Sequence, residues 1–158
     1  MMRIIYDEEY SPEKKLQDCF LQAAALALAR EGIEAEQCEI SLSFLARDEM
    51  RALNAKHRGK DAPTDVLSFP MYIGADEIRE MAAGAPAPVL LGDVVICIEA
   101  AERQAKEIGQ GLDRELAYLF VHSVFHLLGY IHEDEASRAR MREAEEETLS
   151  HLSGLFER

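Results

Sequence analysis

The chain is 158 residues long and 48% apolar, enough to bury the core of one domain, which excludes a disordered polymer. With 30 acidic residues against 17 basic, the net charge is −13. That excludes a protein coating nucleic acid through overall positive charge and leaves open binding through a local basic patch or a metal ion. No apolar run reaches the roughly eighteen residues that a membrane span needs, and Met1 to Tyr10 turns acidic at once, unlike a secretory leader. Cys19, Cys38 and Cys97 are odd in number, apolar in setting and without a CxxC pair, so they read as core thiols of a reducing, cytoplasmic compartment.

Arg3 to Tyr6 is rich in strand formers and predicts a first strand. Ser11-Pro12-Glu13 offers an N-cap, a proline for the first turn and an acid for the positive helix end. A helix is expected from there, with Leu16, Phe20, Ala23 and Ala27 at helical spacing and Gly32 closing it. Cys38 to Phe44 alternates, putting Ile40, Leu42 and Phe44 on one face of a half-buried strand. A short helix from about Asp48 to Lys56 turns Met50 and Leu53 inward and stops at Gly59. Pro63 to Pro70 is bracketed by prolines, as a short or edge strand would be. Residues 74–88, rich in Gly, Ala and Pro, read as a mobile connection with at most one helical turn. Leu91 to Ile98 is almost continuously apolar, the pattern of a central strand. Helices follow from Glu99 to Ile108, from a cap at Asp113 to Leu128, and from Asp134 to Leu152. The sum is an α+β fold, a single domain over 1–158. A small mixed sheet of about four strands packs with about five helices.

Chemistry concentrates in Val121 to His132, VHSVFHLLGYIH. His122 and His126, four apart, leave the same helix face, and Gly129 permits the sharp turn that returns His132 toward them. Five histidines in 158 residues place such a triple by chance in roughly 0.5% of sequences, so metal ligation is preferred to coincidence. Three imidazole ligands leave a fourth position for water, the arrangement of a catalytic zinc. The site therefore belongs on the penultimate helix and the turn after it. His151 reads as solvated; His57, in AKHRGK, reads as solvated in preference to a secondary nucleic-acid contact. The spacing also resembles the zinc helix of metzincin peptidases, but Ser123 stands where their general base, a glutamate, would be.

The triple resembles the HGxLHLxGYDH signature of the YbeY family of metal-dependent endoribonucleases. Leu53-Asn54, His57 to Lys60 and Pro63 to Pro70 resemble its LNxxyRxxdxPTDVLSFP block. Leu91 to Ile96 resembles its LGDIxI strand, and Arg114-Glu115-Leu116 precedes the histidines as in the family. The likeness runs from about Ser41 to Asp134. Ser123, Phe125 and Ile131 depart from it, and Ile131 removes a carboxylate beside the third histidine. Glu133 and Asp134 are the nearest substitutes, equally readable as an acidic helix start.

The resemblance implies cleavage of single-stranded RNA in ribosomal RNA maturation, at the 3′ end of the small-subunit RNA, and in ribosome quality control. Ribosomal RNA and the small subunit are then partners; membrane and DNA are not. The window Arg47 to Lys60 holds five basic residues against two acidic ones, a local reversal of sign. Arg47 and Arg51 read as ordinary surface positions. Arg58, at a helix end beside Gly59, can offer a guanidinium fork to a phosphate, and the resemblance implies a functional arginine there. Thr64 and Asp65 read equally as buttresses of the site and as strand-start caps, and Asp93 as orienting a turn. Two other classes remain: a zinc hydrolase of peptide or small-molecule substrates, and a ribosome-associated adaptor with a structural metal.

Overall fold

A computed structural model describes residues 2–7, 11–62 and 64–152. Four strands form one sheet: β1 (Arg3–Tyr6), β2 (Cys38–Leu45), β3 (Val66–Pro70) and β4 (Val89–Cys97), in the order β1-β2-β4-β3. β1 pairs parallel with β2 and β2 with β4, while β3 runs antiparallel along β4 as an edge. The mixed sheet and the central apolar strand stand as expected; the edge strand ends at Pro70 but starts only at Val66, and Pro63 lies outside the described residues.

The helices are α1 (Lys14–Arg30), α2 (Arg47–Arg58), α3 (Ala75–Ala82), α4 (Ile98–Ile108), α5 (Leu112–Leu127) and α6 (Glu135–Ser150), with a 3-10 turn at Ala35–Gln37. Three expectations need correction. Residues 74–88 hold a full helix, α3, because Ile78 and Ala82 give it a buried stripe that the composition hides. α1 starts at Lys14 behind Glu13, with no side-chain cap; Ser11 and Pro12 precede it. Gly111, not Asp113, flanks α5, and Asp113 sits in its first turn, where the helix dipole still favours it.

Strand alternation divides the core. Ile40, Leu42, Phe44, Val94 and Ile96 face the larger cluster with α1, α5 and α6. Val95, Cys97 and Leu67 face the other side, where Met50 and Leu53 of α2 cover them. Gly92 fixes how α5 meets the sheet. It sits at φ +153°, and an added Cβ would lie 2.4 Å from the Phe69 carbonyl and 2.8 Å from Leu127 of α5. All three cysteines are free and buried, and burial lifts the Cys19 and Cys38 thiols to about 11, so both stay protonated at neutral pH.

Candidate metal centre

α5 runs through the middle of the larger core. Leu116, Ala117, Leu119, Phe120, Val121, Val124, Phe125 and Leu127 are all buried, which leaves one partly open stripe. His122 and His126 lie on it. After Leu128 the chain reverses at Gly129, at φ +95°, where the Tyr130 N–H returns to the Phe125 carbonyl at 3.0 Å. A side chain at Gly129 would press within 2.9 Å of Gly74, and the Ala75 N–H donates to the Leu128 carbonyl at 3.0 Å. The loop before α3 thus clamps the turn, and the turn brings His132 back to the stripe.

One ligand nitrogen from each of His122, His126 and His132 lies within 4.8 Å of the other two. The His126 ring stands edge-on to both neighbours, with centroids at 4.6 and 4.7 Å. His122 Nδ1–H donates to Glu145 Oε2 at 2.5 Å, and His126 Nδ1–H to the Tyr130 carbonyl at 3.0 Å. Both acceptors fix the tautomer, so the neutral rings each carry a lone pair on Nε2. Those two Nε2 atoms are 3.1 Å apart. Two lone pairs held that close repel unless a cation sits between them, so the donor set fits a metal ion. Burial, and then the neighbouring His122, push His126 below its ordinary value, which keeps it neutral and able to ligate.

Glu145 was not visible among the acids of the last helix. Its signal is position: Met141, Ala144, Glu145 and Thr148 form the buried stripe of α6, and a carboxylate in such a stripe needs a partner. The Tyr130 carbonyl left no trace in sequence, since any residue has one. Tyr130 is also tied down by its side chain, whose hydroxyl donates to Glu31 Oε2 at 2.6 Å.

The other candidates separate. Ser123 is fully buried and hydrogen-bonded to Ser68 of β3, so the position of a peptidase's base faces the interior. Ile131 is exposed, and Asp134 caps α6 by accepting from the Ser137 N–H at 2.7 Å, the helix-start role. The carboxylate beside the histidines comes from α6 instead. Asp65 accepts from Gln104 Nε2 at 2.9 Å and from the Thr64 hydroxyl at 3.4 Å, tying β3 to α4. Asp93 lies mid-strand opposite Phe69, not at a turn. His151 is exposed at the end of α6. His57 is exposed but stands edge-on to Phe69 at 5.0 Å.

Arg58 ends α2, on the sheet face opposite α5. It is exposed, and among the described residues nothing pairs with it. The edge strand β3 lies between it and the histidines, with Phe69 turned to α2 and Ser68 to α5. Arg51 is held in a two-bond pair with Asp61 at 2.9 and 3.2 Å.

The family model described as Endoribonuclease YbeY matches residues 4–153. The chain belongs to the YbeY family. Among the curated members, Endoribonuclease YbeY of Pelotomaculum thermopropionicum is 48% identical over 141 residues, covering 89% of each chain. That of Heliobacterium modesticaldum is 47% identical over 129 residues, covering 81% of this chain and 78% of the relative. The solution structure of TM1509 from Thermotoga maritima shares the fold, with a TM-score of 0.61 at 23% identity over 98% of this chain and 93% of that one. The three-histidine cluster could hold a metal ion. No helix of the described residues is long and apolar enough to cross a membrane.

Proposed function

We propose that this YbeY-family chain, acting as one domain, is a metal-dependent endoribonuclease that cuts single-stranded RNA in the cytoplasm. Its place is maturation of the 3′ end of small-subunit ribosomal RNA and ribosome quality control, on or near the small subunit. The observation that carries the reading is the pair of Nε2 atoms 3.1 Å apart, their Nδ1 sides committed to Glu145 and to the Tyr130 carbonyl, in a chain whose relatives are named endoribonucleases. His122, His126 and His132 hold the ion, and three nitrogen ligands favour zinc. The bound ion supplies Lewis acidity toward a phosphate oxygen and activates water at neutral pH. Glu145 and Tyr130 keep the rings aimed. Arg58 closes on the substrate phosphate and stabilises charge that grows on its non-bridging oxygens.

The peptidase alternative is weakened by Ser123, whose burial leaves no room for a base at that place. The test is metal analysis of the purified protein, then single-turnover incubation with single-stranded RNA, duplex RNA and casein, each with and without chelator. Cleavage of the single strand alone, lost with chelator and restored by zinc, is the expected result. Casein cleavage would favour the hydrolase reading, and stoichiometric metal without any cleavage the adaptor.

A further inference from the structure

Glu115, Tyr118, His122 and His126 follow one another at spacings of three, four and four along α5, so they form one stripe of the helix. At 1.5 Å per residue, Tyr118 lies about 6 Å and Glu115 about 10 Å along the axis from His122. Tyr118 is 38% exposed as a residue, and its ring stacks on the His122 ring, with centroids 6.0 Å apart and planes at 28°. Tyr118 lines a cavity of about 360 Å³ with the aliphatic Ile108 and Leu149 and with one cation, Arg114, beside the acidic Glu146. Ile108 is 65% exposed, an aliphatic surface left uncovered beside an aromatic one.

Glu115 lines the same cavity although the residue is only 2% exposed. Gln110 Nε2 donates to its Oε1 at 2.8 Å, and no other side chain among the described residues donates to it. A carboxylate has two oxygens and about four acceptor positions, so most of this one's capacity is unspent. Burial raises its pKa, as expected of a carboxyl with too few donors.

A flat platform, an aliphatic wall and an under-used acceptor in one lining together describe a host for a heteroaromatic ring bearing N–H groups. We propose that this cavity is a nucleobase subsite, in which Tyr118 stacks an unpaired base of the substrate strand, next to the nucleotide whose phosphate meets the histidines, and Glu115 accepts from its Watson–Crick edge. Guanine fits best, because N1–H and N2–H can reach one carboxylate together, whereas the other bases offer that edge a single donor group. Arg114 then meets the ribose-phosphate of the same nucleotide. The assignment rests on the RNA reading of the metal site.

The experiment uses pentaribonucleotides of uridine with one guanosine placed at each position in turn. Binding is measured by fluorescence anisotropy on the full chain without metal, and cleavage is measured separately with zinc. One register of guanosine should bind roughly tenfold tighter than the all-uridine strand, the scale of one stacked base. Tyr118→Leu should remove that gain and Tyr118→Phe keep it, with metal content checked in both, while Glu115→Gln should let adenosine compete with guanosine in that register. Equal binding of all strands by the unaltered protein, or a guanosine gain surviving Tyr118→Leu and Glu115→Gln, would overturn the subsite. Cleavage without any guanosine register would sink the subsite and leave the ribonuclease reading standing. A guanosine register without cleavage would do the reverse.

Discussion

The stripe of α5 and the end of α2 carry the two tools of the proposed chemistry, neutral ligands and a free cation, and the fold treats them in opposite ways. Each histidine of the α5 pair is held from behind, His122 by Glu145 at 2.5 Å and His126 by the Tyr130 carbonyl at 3.0 Å, inside a helix buried on most sides. Arg58 is held by nothing among the described residues and stands in solvent across the edge strand. A metal site needs its ligands aimed before the ion arrives, because convergence of neutral nitrogens is costly without it. An arginine that serves a transition state gains by arriving with the substrate, since its long side chain reaches and its charge stays hydrated until then.

Breaking the held side should have the largest effect. His126→Ala removes the central ligand, and the protein should no longer retain stoichiometric zinc after dialysis, as read by metal analysis. Full zinc content in that variant would mean the ion sits elsewhere.

Breaking the free side should leave the metal in place and cost only turnover. Arg58→Ala should keep its zinc and its melting temperature while single-turnover cleavage falls by about 10²-fold, the scale for one transition-state donor. Arg58→Lys should recover part of this, because an ammonium cannot donate as a fork. Arg51→Ala, whose pair with Asp61 is exposed to solvent and screened by it, should change cleavage little beyond its salt dependence. Equal losses for Arg58→Ala and Arg51→Ala would reduce Arg58 to general attraction.

The contrast also explains what could be read from the letters. The histidine triple was legible because helical spacing and a turn glycine convert directly into geometry. The strands were legible because alternation in Cys38 to Phe44 and the apolar run of Leu91 to Ile98 report burial. α3 was not, since two buried residues in an Ala- and Gly-rich tract carry almost no periodic signal. Glu145 was hidden because its worth depends on α6 lying against α5, a tertiary fact that no local pattern encodes. The position of Arg58 on the far side of the sheet was equally invisible, because a strand's two faces are assigned only when its neighbours are known.

A subtler way to probe the held side is to weaken the support and spare the ligand. Glu145→Gln keeps size and can still accept a hydrogen bond, but removes the charge facing His122. Zinc affinity should fall by about 10 to 100-fold, measured by competition with a chelator, with the fold intact. An unchanged affinity would show that the 2.5 Å contact orients nothing.

Acid should act on the same side. His126 has a lower value folded than the ordinary 6.5, so the unfolded chain binds the extra proton. Its contribution to stability is therefore complete above about 6.5 and is lost as pH falls through the folded value. Denaturant melts of the metal-free protein from pH 7.5 to 5 should show stability dropping, with a shallower slope in His126→Gln. Identical slopes would place the proton uptake on other groups.

The smallest expected effect separates backbone from side chain at Tyr130. Its carbonyl orients His126, while its hydroxyl is bound to Glu31 at the end of α1. Tyr130→Phe deletes the hydroxyl's bonds to Glu31 and Arg30 and spares the carbonyl. If the turn is already fixed by Gly129, by the Ala75 N–H to Leu128 contact and by the Tyr130 N–H to Phe125 bond, the carbonyl stays where it is. Stability should then fall by about 1 to 3 kcal/mol for hydroxyl bonds to charged partners at a half-buried site, and zinc affinity should stay within about twofold. A loss of affinity as large as that of Glu145→Gln would show that α1 aims His126 through the tyrosine. The held side would then reach from α6 to α1 and include the whole Glu31–Tyr130 tether.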